Sequence, residues 1–174
     1  GLISTDVDEL VKAIGHIPSD AGELERAEII AYLRSHASSS NLKIRAAVAQ
    51  NLGRLPWREL TPTVFHLLND ADTIVRMNAA RSLMQRPRLG ALLEQAFISQ
   101  GARAVDTLVR VIEMDRRRQR RLFEMIEKER LTVTRTTLIM SSPIMRRRYQ
   151  RYLDSREGGL HGHDSVHQQS AAHS

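Results

Sequence analysis

The 174-residue sequence has no cysteine, which removes disulfides, thiol nucleophiles and thiolate metal sites without identifying a compartment. Aromatic residues make up only 4% of the chain, so its core has to come from Leu, Ile, Val, Ala and Met, the side chains that stacked helices favour. No apolar run approaches the roughly 18 residues that a membrane-spanning helix needs. The first residues, Gly-Leu-Ile-Ser-Thr-Asp, lack the basic segment and long apolar stretch of a secretory signal, so the cytoplasm is the default expectation. The chain starts without Met, as a cloning remnant or a domain cut from a longer protein would, and an anchor upstream of residue 1 is left open. Glycine-rich phosphate loops, nucleophile elbows and His-Glu-x-x-His patterns are also missing. Glu23, Glu25 and Glu28 sit near one another on one helix, but solvated surface carboxylates explain them better than acid–base chemistry. No catalytic residue and no cofactor are therefore expected.

What is present suits one soluble domain: 41% of the residues are apolar, enough at this length for a real core. The net charge of +6 is unevenly spread. From Arg103 to Arg151 there are 14 Lys and Arg against 6 Asp and Glu, which leaves the rest of the chain slightly acidic. Such asymmetry points to an acidic partner, nucleic acid or an anionic surface for the C-terminal part.

Apolar spacing predicts helices nearly throughout. A short one runs from Asp6 to Gly15, with Thr5 or Asp6 as N-cap, and a turn follows at Pro18–Asp20. The next extends to about His36, with Leu24, Ala27, Ile30, Ala31 and Leu33 in register. A polar connection, Ser35 to Asn41, caps a helix from about Leu42 to Leu55 that carries Ile44, Ala47, Val48 and Leu52 on one face. Further helices are expected at Arg58–Leu68 and at Thr73–Gln85, the latter with Val75, Ala79, Ala80, Leu83 and Met84 inward. A short helix follows at about Ala91–Ile98, then one after Gly101 with Val105, Leu108, Val109 and Ile112, and one capped by Asp115 at Arg116–Arg130. Leu131 to Leu138 has β-branched residues at period two. A lone strand would have nothing to pair with, so an extended or partly helical connector is expected there. Pro143 opens a last basic helix to about Leu153. A single domain over 1–156 is expected, with a disordered tail at 157–174.

Two segments repeat. Asn41-Leu-Lys-Ile-Arg-Ala-Ala-Val-Ala-Gln-Asn-Leu52 aligns with Asp72-Thr-Ile-Val-Arg-Met-Asn-Ala-Ala-Arg-Ser-Leu83, so that Ile44-Arg45 and Val75-Arg76 lie 31 residues apart. A helix pair recurring at that distance marks a solenoid whose units bury their apolar faces against each other. Over about residues 24–86 the sequence resembles the HEAT-like repeat family, in its short bacterial type. Pro62, Asp70 and Arg76 fall where that family has a proline in the first helix, an acidic residue in the turn and a basic residue in the second helix. In the preceding unit Ala31 and Ser39 take the proline and aspartate places. The resemblance implies an all-α fold, a short right-handed solenoid of antiparallel helix pairs with a basic helical extension at about 103–156. Asp70 is placed to accept hydrogen bonds from Arg76 across the turn, which makes these repeat positions structural. Trp57, after Pro56, reads as a packed lid over a helix end.

Two arginine clusters carry the candidate site. Arg116, Arg117, Arg118, Arg120 and Arg121 spread around a turn and a half of helix, and Arg146, Arg147, Arg148 and Arg151 repeat the arrangement with Tyr149 and Tyr152 interleaved. Arginine forms bidentate contacts with carboxylate or phosphate and stacks on rings. Intrahelical partners at i+3 and i+4 are the simpler alternative for the first cluster, where Glu124, Glu127 and Glu129 are near. The expected function is a non-catalytic scaffold or adaptor, holding another protein, for which an acidic one is a candidate, or other parts of a longer parent chain. The second reading is nucleic-acid binding through the same arginines, since HEAT-like stacks can cradle duplex DNA and one such family is similar in fold to alkyl-purine DNA glycosylases. A role like that of bilin-lyase-type proteins ranks last, with no pocket to mark it. His161, His163, His167 and His173 lie in the tail without rigid geometry, so no specific metal site is expected.

Overall fold

The computed structural model describes the backbone of residues 2–173 and the side chains of residues 6–158. The chain is all-α. Among the described residues there are ten α-helices, two single 3-10 turns and no strand. It forms two compact units, Gly1–Met114 and Asp115–Ser174, where the sequence reading took 1–156 together.

The first unit holds α1 (Leu2–Gly15), α2 (Glu23–His36), α3 (Leu42–Asn51), α4 (Thr61–Leu68), α5 (Thr73–Met84), α6 (Leu89–Ser99) and α7 (Ala102–Met114). Helix α3 packs on α1, α5 on α3 and α7 on α5, so alternate helices line up as one layer. Helices α2, α4 and α6 pack against that layer. The repeat is thus a helix pair, and each pair closes the apolar face of the one before. Ile44, Val48, Leu52, Val75, Ala79, Ala80, Leu83, Leu108 and Ile112 are all buried, as their spacing predicts. In the register expected of α2 only Ile30 and Leu33 are buried; Leu24 stands 88% exposed, and Ala27 and Ala31 are exposed as well. Helix α1 begins at Leu2, so Thr5 and Asp6 lie inside it rather than capping it.

The second helices of the two aligned pairs start on matching caps. The Asn41 side chain accepts from the Lys43 amide, and Asp72 accepts from the amides of Ile74 and Val75. These caps satisfy donors that a helix start leaves free. Pro62 sits in the first turn of α4, preceded by a 3-10 turn at Arg58–Leu60. There its missing N–H costs little, so it sets the start of the helix and does not bend its interior. Gly53 is required by close approach: an added Cβ would stand 2.9 Å from the Ser82 Cα of the next pair.

The pairs are also joined by polar ladders. The first corrects the expected Asp70–Arg76 bond. The Asp70 carboxylate instead accepts from Arg45 of the preceding pair, Nε to Oδ2 at 2.8 Å and Nη2 to Oδ1 at 3.2 Å. Arg45 also donates to the Ser39 and Ser40 carbonyls, and Arg76 donates to the Asp70 and Ala71 carbonyls 31 residues on. Burial alone would raise the Asp70 carboxyl, but the Arg45 hydrogen bond and the Asp72 amide outweigh it and hold the carboxyl below its ordinary range. A second ladder ties helix ends. Arg54 donates to the carbonyls of Ile14, Gly15 and Ile17. Arg86, only 4% exposed, donates to those of Leu52, Leu55 and Trp57. Each guanidinium meets carbonyls at or just beyond a helix C-terminus, where the helix dipole favours a cation. Trp57 is buried, with the Arg26 guanidinium 5.4 Å above its ring, in keeping with the lid expected of it.

The second unit contains a 3-10 turn at Arg116–Arg118 and helices α8 (Gln119–Glu129), α9 (Thr132–Ser141) and α10 (Pro143–His173). Asp115 makes no side-chain cap; its carboxylate lies 3.5 Å from Arg118. The segment expected to be an extended or partly helical connector is a regular helix, α9. Its β-branched residues are overruled by packing. Leu131, Thr134 and Leu138 are buried at helical spacing, and Ser142, Met145 and Tyr149 continue the buried series into α10. Leu122, Phe123 and Ile126 of α8 complete this core. Helix α10 runs past the end expected at about Leu153, to His173. The side chains of the tail histidines fall outside the described residues.

Candidate partner-binding surface

Helix α8 begins directly after the 3-10 turn, so the first arginine cluster straddles two helical forms. Arg116, Arg117, Arg118, Arg120 and Arg121 are all exposed. The predicted intrahelical partners account for only part of their charge. Arg120 lies 3.5 Å from Glu124 and Arg118 meets Asp115, whereas Arg116, Arg117 and Arg121 form no ion pair among the described residues. A solvated pair such as Arg120–Glu124 is worth little.

The second cluster occupies the first three turns of α10. Arg146, Arg147 and Arg151 are exposed and form no ion pair among the described residues, while Arg148 is half-buried. Arg148 donates to the Oε1 of buried Gln119 at 3.2 Å. Gln119 stands between Arg118 and Arg120, so this bond brings the two clusters together at the start of α8. The sequence offered no sign of it, because the partners lie 29 residues apart and a glutamine amid five arginines reads as surface. The interleaved tyrosines do not share the cations' position. Tyr149 is 1% exposed, packs on Phe123 with ring centroids 4.7 Å apart, and donates its hydroxyl to Glu127 at 2.6 Å. Burial and Glu127 push its ionisation well above the ordinary phenol range. Tyr152 is half-buried, with Arg156 above its ring. Neither offers an open stacking face beside the arginines.

The other sequence positions serve the scaffold. Ile44 and Val75 are core, Arg45 and Asp70 form the ladder rung, Arg76 braces its own turn and Pro62 opens α4. Among the described residues no group of three or more His, Asp or Glu is placed to hold a metal ion, and no helix is long and apolar enough to cross a membrane.

Helix pairs at a 31-residue interval, joined by recurring Arg rungs, define a helical-repeat protein. A family model described as HEAT repeats matches residues 27–126, from α2 into α8. The chain belongs to the HEAT-repeat family. No curated protein and no solved structure matches it.

Proposed function

We propose that the protein is a non-catalytic adaptor that holds an acidic protein partner on the arginine surface of its second unit, with the repeat stack as scaffold. HEAT repeats are commonly protein-interaction modules. The observation that carries the reading is the Arg148–Gln119 bond, a part-buried contact that ties the second arginine cluster to the helix start beside the first. Planar guanidinium groups held this way make paired hydrogen bonds to carboxylates. The same charge would attract phosphate, but the burial of Tyr149 removes a ring on which bases would stack. The test is affinity capture from native lysate with the full chain and with an Arg116/Arg117/Arg146/Arg147→Gln variant. A partner retained by the wild type and released by the variant supports the proposal. Equal capture by both proteins, or capture of nucleic acid alone, counts against it.

A further inference from the structure

The Arg45–Asp70 rung has no counterpart one repeat later, and the place it would occupy is open. Arg76 is braced like Arg45, by two carbonyls of its own turn. In Arg45 the Nε–Nη2 edge then grips the carboxylate of the next turn. The turn after Arg76 reads Ser99-Gln100-Gly101 and contains no carboxylate. The same edge of Arg76 meets two neutral hydroxyls instead, Thr107 Oγ1 from Nε at 3.3 Å and Thr73 Oγ1 from Nη2 at 3.1 Å. Beside it lies a cavity of about 310 Å³ lined by Thr73, Arg76, Arg103, Asp106, Thr107 and Arg110. Arg103 and Arg110 are exposed and form no ion pair among the described residues.

We infer that this cleft between α5 and α7 binds a carboxylate, one aspartate or glutamate side chain of a polypeptide partner, in the place of the missing rung. Three guanidinium groups converge on it against the single carboxylate of Asp106. That net positive lining attracts any anion; the carboxylate is singled out by the bidentate grip of the Arg45–Asp70 rung, which a planar side-chain carboxylate fits. The geometry already holds a carboxylate 31 residues earlier, so the required grip is one this fold makes. The Thr73 hydroxyl, which accepts from Arg76, keeps its hydrogen for an arriving oxygen, whereas Thr107 already donates its own to the Arg103 carbonyl at 2.9 Å. The site lies on the first unit and shares no residue with the arginine surface of the second, so it stands or falls separately from the proposed adaptor surface.

The test is arginine Nε–H NMR on the full chain, titrated with acetyl-Gly-Glu-Gly-amide, whose only carboxylate is the glutamate side chain. Saturable shifts of the Arg76 and Arg103 resonances are expected, with no response to the Gln analogue. Arg76→Gln and the exposed double variant Arg103→Gln/Arg110→Gln should each weaken binding about tenfold or more. The double variant removes no described hydrogen bond of the fold, so it keeps the test decisive if Arg76→Gln unfolds. No saturable shift, an equal response to the Gln peptide, or tighter binding of inorganic phosphate overturns the assignment. Resonances of Arg116, Arg117, Arg146 and Arg147 read the other surface in the same spectra, so failure at one site is distinguishable from failure at the other.

Discussion

Arg86 gives the sharpest test of how the repeats are held together. Arg86→Met keeps most of the aliphatic stem and removes the charge and its three hydrogen bonds. The Leu52 and Leu55 carbonyls, held at 2.6 and 2.9 Å, lose the only donor described for them. The Trp57 carbonyl keeps the Leu60 amide at 3.0 Å. Each orphaned buried carbonyl costs roughly 1–3 kcal/mol. Burial pulls the Arg86 guanidinium below its ordinary pKa, and its Nε has no partner, so the variant also escapes a desolvation cost. The net loss is therefore about 3 kcal/mol, near the low end for breaking a buried charged contact. Trp57, the only tryptophan, is buried at this very contact, so its fluorescence follows unfolding of the first unit in urea. With a slope of roughly 1.5 kcal/mol per molar urea, the midpoint should fall by about 2 M. Arg86→Lys should recover only part of this, because one ammonium cannot span three carbonyls. Exposed Arg58→Met, nearby in sequence, should stay within about 0.5 kcal/mol of wild type. An Arg86→Met midpoint indistinguishable from that of Arg58→Met would mean that the Arg86 contacts do not hold the repeats together.

Other perturbations follow from the same contacts. A double-mutant cycle on Arg45→Gln and Asp70→Asn should give a coupling of about 2 kcal/mol in urea unfolding; additivity would mean that the rung carries no specific energy. Because the folded Asp70 carboxyl is held below its ordinary value, its contribution is complete above about pH 4 and is lost as pH falls through the lowered folded value. The stability difference between wild type and Asp70→Asn should therefore shrink in acid and stay level from pH 5 to 8. Gly53→Ala, which drives a Cβ against the Ser82 backbone, should cost about 1–3 kcal/mol, whereas Gly101→Ala, with open space around it, should cost far less; thermal melts compare the two. Tyr149→Phe removes the hydroxyl bond to Glu127 and should destabilise the second unit by about 1 kcal/mol, read by near-UV circular dichroism; an unchanged melt would contradict the contact.

Much of the first unit was legible because its signals are local and periodic. Ile44, Val48, Val75, Ala79 and Leu83 announce buried faces by spacing, and the polar stretch ending at Asn41 announces a helix start by side-chain chemistry. What sequence missed depends on contacts between repeats. Arg76 is six residues from Asp70 and looked like its partner, yet Arg45, 25 residues away, approaches from the neighbouring pair. Arg54 and Arg86 drew no reading from the sequence, because nothing local reveals the helix end that each one closes. The stretch 131–138 was misjudged because Thr and Val residues favour strands, while the helical series Leu131, Thr134 and Leu138 was obscured by a threonine in the core. Leu24, Ala27 and Ala31 erred the other way: they match the helical register but lie outside the buried stripe. The arginine clusters were visible as composition. Their meeting through Arg148 and Gln119 was not, since it requires α9 to be a helix.

The proposed adaptor role requires the arginine surface of the second unit to prefer acidic protein to a phosphate backbone. Fluorescence anisotropy tests it with the full chain, a labelled peptide rich in Asp and Glu, and a labelled DNA duplex of equal net charge, each at 50 and 200 mM NaCl. Tighter binding of the peptide is expected at both salt concentrations, with a loss of about tenfold or more in the Arg116/Arg117/Arg146/Arg147→Gln variant. Tighter binding of the duplex with a steep loss of affinity at the higher salt, or peptide affinity unchanged in the variant, would contradict it.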